Sequence, residues 1–100
     1  MDLDDEPRRT NKVEWDEAKR WSNLAKHRID FHAAQDLFDG RPVLTVDSKY
    51  AAEVRFLTTG VVKSRIVTVI WTRRGEVIRL ISARSARDAE RSAYRKRYGI

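Results

Sequence analysis

The spacing of apolar residues changes along this chain, and the change marks out its elements. Between Asp16 and His27 the apolar residues Ala18, Trp21, Leu24 and Ala25 gather on one side of a predicted helix, while Lys19, Asn23, Lys26 and His27 gather on the other. Asp16 is its expected N-cap, Glu17 suits the positive end of the helix dipole, and Lys26 and His27 suit the negative end. Asp30 caps a second, shorter helix, 31–38, with Phe31, Ala34 and Phe38 on one face and Leu37 beside them; Gly40 and Pro42 end it. From there the period drops to two. Residues 43–47, 53–59, 65–72 and 76–83 read as strands, with 47–52 a polar connection, Gly60 closing the second strand and Arg73-Arg74-Gly75 turning the third into the fourth. Ser85-Ala86-Arg87-Asp88 fits the start of a last helix, along which Arg87, Arg91 and Arg95 form a basic ridge. At the other end, residues 12–15 would add a short edge strand, and the acidic residues 1–11 are expected to be a disordered tail ahead of one domain spanning 12–100.

Two helices, then a run of strands, then a basic helix predict an α+β fold: an antiparallel sheet of three to four strands with the helices on one face. Two arginines interrupt its strands. Arg55 alternates onto a face with Leu57 and Thr59, opposite Val54, Phe56 and Thr58; Arg79 shares a face with Val77 and Ile81, opposite Ile78 and Leu80. An unpaired buried guanidinium is costly, so each of them meets a carboxylate or opens into a cleft that takes an anion. On the uncovered face of one meander the two would form a phosphate cleft, and register decides whether they meet.

Charge sharpens this picture once it is located. Twelve Lys/Arg balance twelve Asp/Glu through Thr72, whereas nine oppose three from Arg73 onward, so the whole net charge of +6 lies in the last 28 residues. Such a localised basic surface is the footprint of a polyanion partner, and nucleic acid is favoured over a merely solvated face. The chain has no cysteine, which excludes disulfides and thiolate metal sites and makes a reducing cytoplasm the simplest setting. Its longest apolar run is six residues, too short for a membrane. There is no glycine-rich phosphate loop, paired-histidine metal motif or serine nucleophile motif, and no cofactor is called for.

The residues in hand resemble the BrnT family of type II toxin–antitoxin ribonucleases, which have the RelE/ParE-like toxin fold. The likeness runs through Val13-Glu14-Trp15-Asp16-Glu17-Ala18-Lys19, Asn23-Leu24-Ala25-Lys26-His27, and Asp30-Phe31 with Ala33-Ala34 and Phe38. It resumes at Glu53-Val54-Arg55-Phe56 and Gly60, then at Arg79-Leu80-Ile81-Ser82-Ala83-Arg84 with Ala86, Glu90 and Tyr94. One departure is Arg28, where the family commonly has glycine after the Lys-His pair; that helix-ending position asks for a positive φ. The resemblance implies a bacterial, metal-independent endoribonuclease that inhibits translation and is neutralised by a BrnA-like ribbon-helix-helix antitoxin. It implies contact with operator DNA only through that complex and admits a dimer of toxin–antitoxin heterodimers. It implies no membrane partner.

RNA cleavage of this kind needs a base for the 2′-hydroxyl proton, cations for the charge that develops on phosphorus, and an acid for the leaving 5′-oxygen. Arg55, Arg79 and Arg84 suit the cationic role through their planar donor forks. For Arg79 the competing role is an ion pair with Glu90 or Glu53; for Arg84 it is a cap or salt bridge at the strand-to-helix link. His27 is the candidate for proton transfer, because imidazole exchanges protons near neutral pH, against a plain role at the helix end. Tyr94 is either a second proton donor or a buried ring with a satisfied hydroxyl, and Glu90 is placed to orient an arginine. Lys19, Lys26, Arg87, Arg91 and Arg95 are candidate RNA contacts, with antitoxin or water as alternatives. The competing function is a non-catalytic module that binds nucleic acid or an antitoxin, and convergence of Arg55, Arg79 and Arg84 on one open face separates the two.

Overall fold

The β-branched and aromatic residues from Ile66 to Trp71 make the centre of a sheet whose other strands assemble on both sides of them. The computed structural model describes residues 12–50 and 52–100, so the acidic segment expected to be a disordered tail lies outside the described residues. The elements are β1 (Val13–Glu14), α1 (Glu17–His27), α2 (Phe31–Ala34) continued by a 3-10 turn (Gln35–Phe38), β2 (Val43–Tyr50), β3 (Glu53–Val62), β4 (Arg65–Arg74), β5 (Val77–Ser85) and α3 (Asp88–Tyr98). β2 to β5 form an antiparallel meander, and β1 adds to the outer edge of β5 in parallel, giving a five-stranded mixed sheet in the order β1-β5-β4-β3-β2. The expected antiparallel sheet of three to four strands is therefore corrected to five, one of them parallel.

Strand ends also move. β2 continues through the segment read as a polar connection, because pairing with β3 satisfies its backbone as far as Tyr50 opposite Glu53. Gly60 lies inside β3 opposite Val43 and Val67, where it closes no strand. Its role is steric, since a Cβ there would come within 2.7 Å of Leu37 Cδ2 and 3.0 Å of Val43 Cγ1. Lys63 and Ser64 make the β3–β4 turn at φ 50° and 70°, and the β4–β5 turn shortens to Gly75-Glu76, with Arg74 already paired to Val77.

One sheet face carries the core. Phe31, Ala34 and Leu37 pack there against Val67, Val69, Trp71, Ile78, Leu80 and Ala83. Phe31, Leu37, Ile78 and Leu80 are at most 2% exposed, and each contributes roughly 2 kcal/mol by leaving water. Asp16 and Asp30 cap α1 and α2 as expected, through hydrogen bonds accepted from the Ala18 and His32 backbone N–H groups. Arg28 ends α1 in the left-handed region at φ 61°, with its N–H donating to Leu24 O. α3 starts later than expected, at Asp88, and Glu90 in its first turn accepts from the Arg87 N–H. The helices do not share one face, because α3 lies on the opposite side, where Glu90 meets Thr68 and the Tyr94 hydroxyl donates to Pro42 O.

The face predicted for α1 is reversed at its centre. Trp21 is 56% exposed and Ala18 and Ala25 are exposed, whereas Asn23, placed on the outer side by periodicity, is 7% exposed. β1 pairs with β5 only at Ile78 and Arg79, which leaves the β5 edge beyond them without a strand partner. Asn23 fills that gap. Its Nδ2 donates to Ala83 O at 2.9 Å and Ile29 O at 3.0 Å, while its Oδ1 accepts from the Ala83 N–H at 3.0 Å and the Ser82 hydroxyl at 3.1 Å. The carboxamide supplies both the donor and the acceptor that a neighbouring strand would have supplied.

Candidate functional site

The sheet face away from Phe31 holds the strand arginines. Phe56, Trp71 and Leu80 are paired across β3, β4 and β5 on the core side, so the residues beside them, Arg55, Thr72 and Arg79, turn the other way. These three line a cleft of about 180 Å³ together with Lys19, Glu53 and Arg74. Arg55 and Arg79 thus share one face, which the register of β3, β4 and β5 decides, and each also has a carboxylate. Arg55 Nε donates to Glu53 at 2.9 Å, and Arg79 Nη1 donates to Glu14 at 3.0 Å. The pairing and cleft roles set against one another for Arg79 therefore coexist, with Glu14 as the acid in place of Glu90 or Glu53. Pairs this exposed add little stability. Their effect is to hold each guanidinium at the wall of the cleft.

A second cleft, of about 270 Å³, adjoins the first and is lined by Lys19, Ser22, Lys26, His27 and Ser82, with Asn23 and Ile81. Lys19 and Ile81 belong to both clefts. Lys19 and Lys26 lie two turns apart on α1, which places them along one side of the helix, with His27 at its last residue. Ile81 is the extra residue of a β-bulge: Trp71 pairs with Leu80 and Ile70 with Ser82, so nothing on β4 opposes Ile81. Strict alternation would set Arg84, five residues after Arg79, on the opposite face. The bulge returns it to the same face, opposite Thr68.

Arg84 nevertheless lines neither cleft. Its Nη1 and Nη2 donate to the two Glu90 carboxylate oxygens at 2.8 and 2.9 Å. Glu90 also accepts from the Thr68 hydroxyl and the Arg87 N–H. Arg84 first, with these two donors beside it, holds the Glu90 carboxyl at about 2. The Tyr94 hydroxyl is likewise committed, donating to Pro42 O at 3.0 Å, and burial pushes it above the ordinary phenol range. The structure therefore brings together Arg55, Arg79, Lys19, Lys26 and His27, and keeps Arg84, Glu90 and Tyr94 apart as ties between β5, α3 and the start of β2. Arg87, Arg91 and Arg95 line neither cleft, and Arg91 pairs with Asp88 at 2.9 Å.

Three residues of this region escape a reading of the sequence. Arg74, read as part of a turn, joins the first cleft because β4 is longer than expected. Glu14 alternates between the inward Val13 and Trp15, but its partner is 65 positions away. Ser82 becomes visible as a lining residue only once the bulge is known.

A family model described as the ribonuclease toxin BrnT of type II toxin–antitoxin systems matches residues 15–90. That span holds every lining residue of both clefts. Comparison with curated proteins gives no match.

Proposed function

The chain belongs to the BrnT family of ribonuclease toxins of type II toxin–antitoxin systems, and from that premise we propose that it is an endoribonuclease whose substrate lies along the two joined clefts. The observation that carries this reading is that Lys19 and Ile81 line both clefts, so the one with two strand arginines adjoins the one with His27. Arg55 and Arg79 receive the scissile phosphate, and their forks offset the charge that builds on its oxygens as the 2′-oxygen attacks. The P–O5′ bond breaks, leaving a 2′,3′-cyclic phosphate on one fragment and a 5′-hydroxyl on the other. His27 moves the proton, and Lys19 and Lys26 hold the flanking phosphates. Metal-independent cleavage, inhibition of translation and neutralisation by a BrnA-like antitoxin in the cytoplasm complete the proposal.

Purified Arg79→Ala and Arg55→Ala should each cleave a single-stranded RNA about 100-fold more slowly than the parent, in line with removal of one transition-state donor. His27→Ala should cleave the same RNA at least about 100-fold more slowly as well. Undiminished cleavage by Arg79→Ala would move the chemistry elsewhere. The second reading, a module that binds without cutting, is favoured by one observation: Arg84, Glu90 and Tyr94 are all committed to structural contacts, which leaves few groups for proton transfer. Under it, the parent protein binds RNA and leaves it intact.

A further inference from the structure

A third cavity shares no lining residue with either cleft, although its Leu24 and Arg28 directly follow Asn23 and His27 of the second. It is about 190 Å³ in volume, and its wall is aliphatic: Leu24, Ile29, Ala33, Val62 and Val67. An apolar cavity of about 150 Å³ holds a benzene-sized group, and cofactor sites are larger, from about 300 Å³. The space therefore fits one apolar side chain. Arg28, Lys63 and Arg65 line it as well. The carboxylate beside them, Asp30, is already held at both oxygens by Arg20, at 2.8 and 3.1 Å.

Six of the thirteen described arginines are paired with acids, and the cations of this cavity are not among them. Arg20, Arg41, Arg55, Arg79, Arg84 and Arg91 each meet a carboxylate. Arg28, Lys63 and Arg65 have no carboxylate partner among the described residues, and Arg65 donates instead to the Ser85 hydroxyl and, at 3.4 Å, to Arg28 O. The backbone of the lining is also unusual. Of the three non-glycine residues at positive φ among the described residues, Arg28 and Lys63 line the cavity, and the third, Ser64, stands in the chain between Lys63 and Arg65. Such strain persists where surrounding structure enforces it, and it recurs at binding sites. One turn before Leu24 on α1, Trp21 stands 56% exposed, with the Arg20 guanidinium carbon 4.4 Å from its ring centre.

We propose that this cavity is a docking site for an acidic segment of a partner protein, with one aliphatic side chain seated in the cavity and flanking carboxylates on Arg28, Lys63 and Arg65. The lining selects a peptide over RNA, because a nucleobase is held by aromatic stacking and edge hydrogen bonds, and aliphatic walls supply neither. The acidic residues 1–11 of the chain itself are a less suitable source. The backbone of Lys12 is bonded to Ile78, near the start of β5, whereas the cavity lies by the β3–β4 turn, opposite the end of that strand. The site is independent of the cleavage reading and stands or falls without it.

The test is a titration of the isotope-labelled full chain with a nine-residue peptide carrying a central leucine between two pairs of glutamates, followed by NMR. The methyl signals of Leu24, Ile29, Val62 and Val67 should shift. Replacing the peptide leucine by serine, or its glutamates by glutamines, should each weaken binding at least tenfold, as should a Lys63→Glu, Arg65→Glu double variant. Arg91→Glu, remote from the cavity, should bind as the parent does. The two altered peptides decide the matter on the unmodified protein if the double variant fails to fold. Affinity unchanged by either peptide alteration overturns the proposal. So does displacement of the peptide by a short RNA, or tight binding that emerges only when residues 1–11 are deleted, which would make the tail the occupant.

Discussion

Replacing Asn23 by leucine keeps its branched outline and removes four hydrogen bonds, two of which serve the backbone N–H and C=O of Ala83 at an edge no strand covers. Leaving those groups buried and unpaired should cost about 3 kcal/mol, seen as a lower urea midpoint at unchanged slope. Arg28→Gly should act in the opposite direction and stabilise by about 1 kcal/mol, because glycine accepts φ 61° without strain; the same titration checks it. Residues whose partners are local were readable in advance. Asp16 and Asp30 cap their helices within two positions of themselves. Asn23 was not readable, since its main partner is 60 positions along the chain and its side of the helix reads as the polar one.

At the scale of elements, the order of helices and strands follows from the change of period, whereas the strand ends and the bulge do not. Pairing carries β2 to Tyr50 through residues that are polar and locally turn-like, and a one-residue irregularity leaves no trace in an apolar pattern that already tolerates Ile81. The same limit hid the separation of Arg84 from the clefts. A basic residue at the end of β5 looks alike whether it faces RNA or Glu90, and the two-pronged contact decides it. That contact predicts a pH response. The folded-state value of Glu90, about 2, lies below its ordinary 4.5, so the stability it confers is fully present above about pH 4.5 and is lost as pH falls toward 2. Thermal unfolding of Glu90→Gln should therefore show a shallower acid limb than the parent, with a neutral-pH loss of about 2 kcal/mol from breaking the link to Arg84.

For the whole molecule, the α+β class and the clustering of positive charge in the last 28 residues were legible from composition and order alone. The arrangement of that charge was not, because α3 carries much of it to one side while the clefts draw Lys19, Lys26 and Arg55 from earlier in the chain. If single-stranded RNA occupies the clefts through about four phosphates, the logarithm of its affinity should fall roughly threefold as steeply as the logarithm of salt concentration rises. Neutralising Arg87 and Arg95 together should leave that slope unchanged, whereas neutralising Lys19 and Lys26 should flatten it; fluorescence anisotropy across a salt series measures both.

The bulge at Ile81 gives β5 one residue more than its pairing with β4 requires. Removing Ile81 would leave Leu80 and Ala83 on the core side and Arg79, Ser82 and Arg84 on the other, with ordinary alternation restored between them. A deletion at Val69, in the unbroken pairing of β4, would instead turn half of a central strand inside out. This sheet therefore has a built-in place where chain length can vary by one residue while both faces keep their chemistry.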